Sequence, residues 1–161
     1  MATKKSGRHR GRQRDEYVHY FVAVGSWQHY YGFSSHGRSR HEDAGYRHTE
    51  TLTLSGRMVL PERFRYRYAE VTLSARDNFV PSTDGRFSTI IGAMHAADDT
   101  LYAYIFVPDD HTPQLVAVAA SGRVRVVSFT GTPLKRRSGT ISAVSVSTSD
   151  EDLTEDDSQP V

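Results

Sequence analysis

Cysteine is absent from the 161-residue chain, which excludes disulfides, thiolate zinc sites and cysteine nucleophiles. That absence leaves the redox compartment open. No apolar run approaches the ~20 residues of a membrane-spanning helix, so no membrane insertion is expected. The basic start is not followed by the ~7–15 apolar residues of a secretory signal. It also lacks the amphipathic apolar face of a mitochondrial presequence, and a cytoplasmic location is expected. No Gly-x-Ser-x-Gly elbow raises a serine nucleophile. No Gly-x4-Gly-Lys-Ser/Thr loop cradles a phosphate. No catalytic residue, metal ligand or cofactor is assigned on this reading.

Apolar side chains are scarce and unevenly spread. Val, Ile, Leu and Phe together make about a fifth of the chain, and the mean hydropathy is −0.55. That composition supports one core but not along the whole length. The net charge of +1 conceals two opposed blocks. Residues 1–14 carry Lys4, Lys5, Arg8, Arg10, Arg12 and Arg14 with no acid, and residues 150–157 carry six acids with no base. Neither block holds enough apolar surface to offset the entropy of ordering its backbone. Three parts are expected: a disordered basic arm over 1–14, an antiparallel β domain over 15–149, and a disordered acidic tail over 150–161.

The middle part favours strands. Val outnumbers Leu 15 to 8, and branched and aromatic side chains suit a pleated surface. Alternation is clear at 49–60, where Leu52, Leu54, Met58 and Leu60 share a face. It recurs at 68–75, with Ala69, Val71, Leu73 and Ala75 inward. Segments 17–24, 87–96, 100–107, 124–130 and 140–148 complete the set, and Ala97-Asp98-Asp99 reads as a hairpin turn. One short helix is expected after Pro108, with Thr112 as N-cap, Pro113 at the first helical position and Gly122 closing it. The fold class is therefore all-β with one short helix: an antiparallel β-sandwich or partly open barrel of about seven strands.

Residues 17–33 hold seven of the seventeen aromatic side chains. A core strand and hairpin is the favoured account, since aromatic pairs stabilise sheets without any ligand. A binding surface is the alternative, with Trp27, Tyr30 and Tyr31 as its exposed members because Gly25-Ser26 and Gly32 place them near a turn. His29, His36, His41 and His48 gather with Glu42 and Asp43, but their spacing fits neither strand nor helix periodicity. The His-x-His pair of a cupin-like metal site is missing. Glu50 and Glu70 on strands, and His95 on another, complete the groups weighed for catalysis.

The arginine-glycine arm is suited to tracking phosphates, with Arg63, Arg65 and Arg67, and Arg123 and Arg125, expected to extend it along strand faces. Three functions follow, in order. The first is a non-enzymatic interaction module binding a protein partner or itself. The second is a nucleic-acid-associated protein using Lys4, Lys5, Arg8, Arg10, Arg12 and Arg14 on RNA or DNA. The third is a small-molecule or metal-dependent enzyme of cupin-like or sandwich type.

Overall fold

Alternation on the strands decides which face of the sheet turns inward, and the sheet then closes on itself. The computed structural model describes residues 17–36, 45–77, 82–84 and 88–149. The basic arm and acidic tail expected at the two termini lie outside the described residues, as do His41, Glu42 and Asp43. The strands are β1 (Val18–His36), β2 (Gly45–Leu60), β3 (Tyr68–Arg76), β4 (Ser82–Asp84), β5 (Ser88–Ile90), β6 (Gly92–Ala97), β7 (Thr100–Pro108), β8 (Val126–Gly131) and β9 (Ser138–Ser147). One helix, α1 (Thr112–Ala120), follows β7 through a 3-10 turn at Asp109–His111.

Seven strands form a closed barrel in the order β1-β2-β3-β7-β6-β9-β8, and β4 and β5 pair separately. The barrel is closed by β8 pairing back to β1, Val18 opposite Gly131 and Ala23 opposite Val126. Closure is the finding that separates this fold from a sandwich or an open barrel. The sheet is also mixed: β3 and β7 run parallel, Tyr68 level with Thr100. Among the described residues no helix is long and apolar enough to cross a membrane.

The inward residues match the sequence pattern except at Leu60, which a register shift between Phe21 and Val22 places opposite Phe21 and outside the core that its expected face-mates Leu52, Leu54 and Met58 join. Leu52, Leu54, Val71 and Leu73 are fully buried with Val22, Leu101, Ile105 and Ile141. Each such side chain contributes about 1.5–3 kcal/mol by leaving water. One end of the barrel is sealed by the connection between β2 and β3. Phe64 and Tyr66 turn in there, with Phe64 edge-on to Tyr20 and Tyr20 stacked on Phe129. The Tyr20 hydroxyl donates to the Thr132 carbonyl at 3.4 Å, and burial pushes its pKa up to about 12. At the other end α1 packs its buried Ala119 into the core.

Two expectations need correction here. Thr112 is not the N-cap. The 3-10 turn runs straight into α1, the Thr112 N–H donates to the Asp109 carbonyl, and Thr112 itself is helical with φ −61° and ψ −42°. Its hydroxyl is buried without a partner. Gly122, by contrast, does take the left-handed conformation past the helix end, with φ 68°. Arg63, Arg65 and Arg67 do not lie on a strand. They punctuate the 61–67 connection, because Phe64 and Tyr66 between them are the residues that seal the barrel end. Arg123 and Arg125 likewise precede β8 rather than lie within it.

Candidate functional site

The first two strands are far longer than the barrel requires. β1 pairs with β8 only as far as Ala23, and β2 pairs with β3 only from Thr51 onward. Gly45–Glu50 of β2 therefore pairs with β1 alone, and the hairpin projects past the end where α1 sits. Among the described residues, no strand pairs with the second edge of β1 beyond Ala23.

A register shift between Val24 and Ser26 sets which side chains face which way. One extra residue in a strand moves everything after it to the opposite parity. Trp27 and His29 thus lie opposite the buried Leu54 and Leu52, and Tyr31 and Phe33 continue that line opposite Glu50 and His48. Tyr30 lies opposite Thr51, on the other face. The three aromatics singled out in the sequence are exposed, Trp27 at 40% and Tyr30 and Tyr31 at 60% each. They do not form one patch, because Tyr30 turns away from the other two. Tyr20, in contrast, is core.

Polar groups line the face that Trp27 and Tyr31 share. His29 Nε2 lies 3.0 Å from Glu50 Oε1. The Tyr31 and His48 rings stack with centroids 6.4 Å apart, and His48 Nε2 stands 3.9 Å from Asp77 Oδ1. Two of the clustered histidines are thus brought to the hairpin face, but each faces its own carboxylate. Among the described residues no three His, Asp or Glu side chains gather as a metal-holding set. Glu50 and Glu70 are not a catalytic pair: Glu50 shares the face of Leu52, while Glu70 lies between the inward Ala69 and Val71 and points outward.

A second constellation escaped the sequence reading. The outward residues of β7 are Tyr102, Tyr104 and Phe106, between the buried Leu101, Ala103, Ile105 and Val107. His95 on β6 stacks against both tyrosines, 5.1 Å from Tyr102 and 5.9 Å from Tyr104, with planes within 15°. The Arg76 guanidinium lies over Phe106 at 5.0 Å. Aromatic residues at period two along a strand whose other face is wholly aliphatic were the available signal.

This row borders a concavity of about 430 Å³ on the barrel exterior, lined by Arg57, Tyr68, Glu70 and Tyr102. Gly25 and Gly56 also line it. A Cβ on Gly56 would collide with the Ala23 carbonyl, so this close approach of β1 and β2 requires glycine. A smaller cleft of about 350 Å³ separates α1 from the barrel rim, apolar along Leu73, Val107, Leu115 and Val146.

No family model, curated protein or solved structure matches this chain.

Proposed function

We propose that this chain is a non-enzymatic interaction module whose projecting β1–β2 hairpin takes an extended segment of a protein partner as an added strand. The observation that carries the reading is the second edge of β1. From Gly25 to Tyr31 it has no strand beside it among the described residues, while Trp27, Tyr30 and Tyr31 stand exposed along it. An open ladder supplies backbone hydrogen bonds to any extended chain, and side chains on alternate faces supply selectivity. β9 also lacks a strand on its β6 side past Ile141 among the described residues, but the exposed aromatic side chains stand along β1. A second copy of this chain is the other occupant that such an edge accepts.

The test is peptide selection from a random library on the immobilised full chain, followed by amide hydrogen exchange with the selected peptides. Binders with alternating apolar residues that protect amides between Gly25 and Tyr31 support the reading. So does loss of their binding in the Tyr30→Lys variant, since a lysine on an edge discourages pairing. Protection confined to other strands, or no peptide selected from a chain that also sediments as a monomer at all concentrations, overturns it.

A further inference from the structure

The outer face of β3, β7 and β6 differs in chemistry from the hairpin. It combines a row of outward rings, Tyr104 and Phe106 exposed and Tyr102 half-buried, a hollow with one cation and one carboxylate at its wall, and a strongly basic end. The end is formed by three connections, placed together by strand register: Tyr68 is level with Thr100, and His95 lies opposite Ser138. They contribute Arg63, Arg65 and Arg67 from the β2–β3 connection and Lys135, Arg136 and Arg137 from the β8–β9 turn. Against these stand Glu62, Asp98 and Asp99. Arg67 is paired with Asp99 at 3.5 Å. Among the described residues, none of the other five cations is within ion-pair distance of an acid.

The β8–β9 turn is unusual for its residues. Lys135 and Ser138 exchange backbone hydrogen bonds of 2.8 and 3.0 Å, so Arg136 and Arg137 are the two central residues. Their φ values are 53° and 68°. A turn with both central residues left-handed prefers Asn-Gly, and side-chain-bearing residues are disfavoured there. Two arginines occupy it instead, both exposed, and the carbonyl of Arg137 accepts from the Ala96 N–H one residue after His95. The backbone of the arginine pair is thereby fixed at the foot of the aromatic row, and Arg76 stands at its head.

We propose that this outer face binds single-stranded nucleic acid. Bases stack on the ring faces of Tyr102 and Tyr104 that His95 does not cover, and on the face of Phe106 away from Arg76. Successive outward side chains on one strand stand about 7 Å apart, a spacing that serves unstacked bases on a single strand and not the stacked interior of a duplex. Arg136 and Arg137 hold phosphates at one end and Arg76 at the other. The hollow between Tyr68 and Tyr102 receives one base, with Arg57 toward its phosphate. Glu70, opposite Tyr102 in neither strand's interior face, accepts from an exocyclic amino group. Aromatic sheet faces with flanking cations recognise unpaired bases in this manner. Exposed rings alone also suit a sugar or a peptide. The unpaired cations at both ends of the row decide for a polyanion.

The test is fluorescence anisotropy of the full chain with a labelled oligouridine and an oligocytidine of twelve or so nucleotides, and with a duplex of the same length, at about 50 and about 200 mM salt. The Arg/Gly-rich segment is a second source of phosphate affinity, so every measurement is repeated in a background where Arg8, Arg10, Arg12 and Arg14 are alanine. In that background single strands are expected to bind more tightly than duplex. Tyr102→Ala with Tyr104→Ala weakens binding about tenfold or more at both salt concentrations, as loss of stacking requires. Arg136→Gly with Arg137→Gly makes the salt dependence shallower by the share of two phosphates, and glycine relieves the turn, so a folding defect does not mimic the result. Glu70→Gln narrows the difference between oligocytidine and oligouridine. Absence of single-strand binding in that background overturns the proposal, as does binding that the Tyr102 and Tyr104 double variant leaves intact while its melting profile shows it folded. Preference for duplex, or for an oligosaccharide over either nucleic acid, overturns it equally.

Discussion

His95 and Tyr102 stand directly opposite each other across the β6–β7 ladder, with ring centroids 5.1 Å apart and planes 15° from parallel. Tyr104 stacks on the same imidazole, with centroids 5.9 Å apart and planes 5° from parallel. One imidazole therefore aligns two phenols on an exposed sheet face. Cross-strand aromatic pairs contribute roughly 0.2–1 kcal/mol relative to alanine. His95→Ala is expected to lower stability by about that amount in urea unfolding. It should also free both tyrosine rings, which side-chain relaxation measurements detect.

Tyr20 makes stability fall at high pH. Its phenol titrates at about 12 in the folded chain and at 10.0 without burial. Between those values the folded state holds a proton that the unfolded state has released. The contribution is complete below pH 10 and is lost as pH rises through the folded value. Two pKa units correspond to ~2–3 kcal/mol. Denaturant unfolding at pH 9 and pH 11.5 should show this fall, and Tyr20→Phe should reduce it while removing the bond to the Thr132 carbonyl.

Thr112 carries a buried hydroxyl with no hydrogen-bond partner at the start of α1. A buried unsatisfied polar group costs about 1–3 kcal/mol. Thr112→Val keeps the shape and removes the hydroxyl, so a rise of roughly 1 kcal/mol in unfolding free energy is expected. A lower thermal midpoint for this variant would show that the hydroxyl is satisfied in solution.

Gly56 is held against the Ala23 carbonyl where β1 shifts register. Gly56→Ala forces the two strands apart and should cost about 1–3 kcal/mol, the usual penalty of overpacking. Gly25→Ala meets only ordinary contact, with the Ser55 carbonyl 3.9 Å away, and should be nearly neutral. The pair of variants separates a steric effect from a general loss of glycine.

Arg136 and Arg137 hold left-handed backbone without being glycine or asparagine. Replacing them by Asn-Gly should raise the thermal midpoint, since each disfavoured residue costs roughly 1–2 kcal/mol. An unchanged midpoint would mean that the turn is held by its flanking strands.

Much of the barrel was legible where inward and outward residues alternate without a register shift, as in β3 and β7. Ala69 to Leu73 and Leu101 to Val107 each predict a strand with one buried face, and each forms one. Closure was not legible. Whether β8 pairs with β1 depends on contacts more than a hundred residues apart, such as Val18 with Gly131, and no local pattern encodes them. The 61–67 arginines alternate as a strand does, yet the rings of Phe64 and Tyr66 gain more by sealing the barrel than by extending it. Trp27, Tyr30 and Tyr31 were recognised as exposable. Their division between two faces depends on a one-residue register shift near Gly25, which composition does not reveal. The row on β7 is visible in the alternation but lies outside the aromatic-rich segment 17–33.

The projecting part of the hairpin shares no ladder with β3 or β8. Its residues reach the barrel through the β1–β2 ladder and through His48 beside Asp77 at the end of β3, so substitutions beyond that contact are expected to leave the folding of the remainder unchanged. Under the proposed strand addition, partner preference and thermostability can then drift independently through descent, the first by changes around Tyr30 and Tyr31, the second by changes at Leu52 or Val71. An engineer gains the same freedom: a foreign strand sequence grafted onto the tip should be displayed by an undisturbed scaffold.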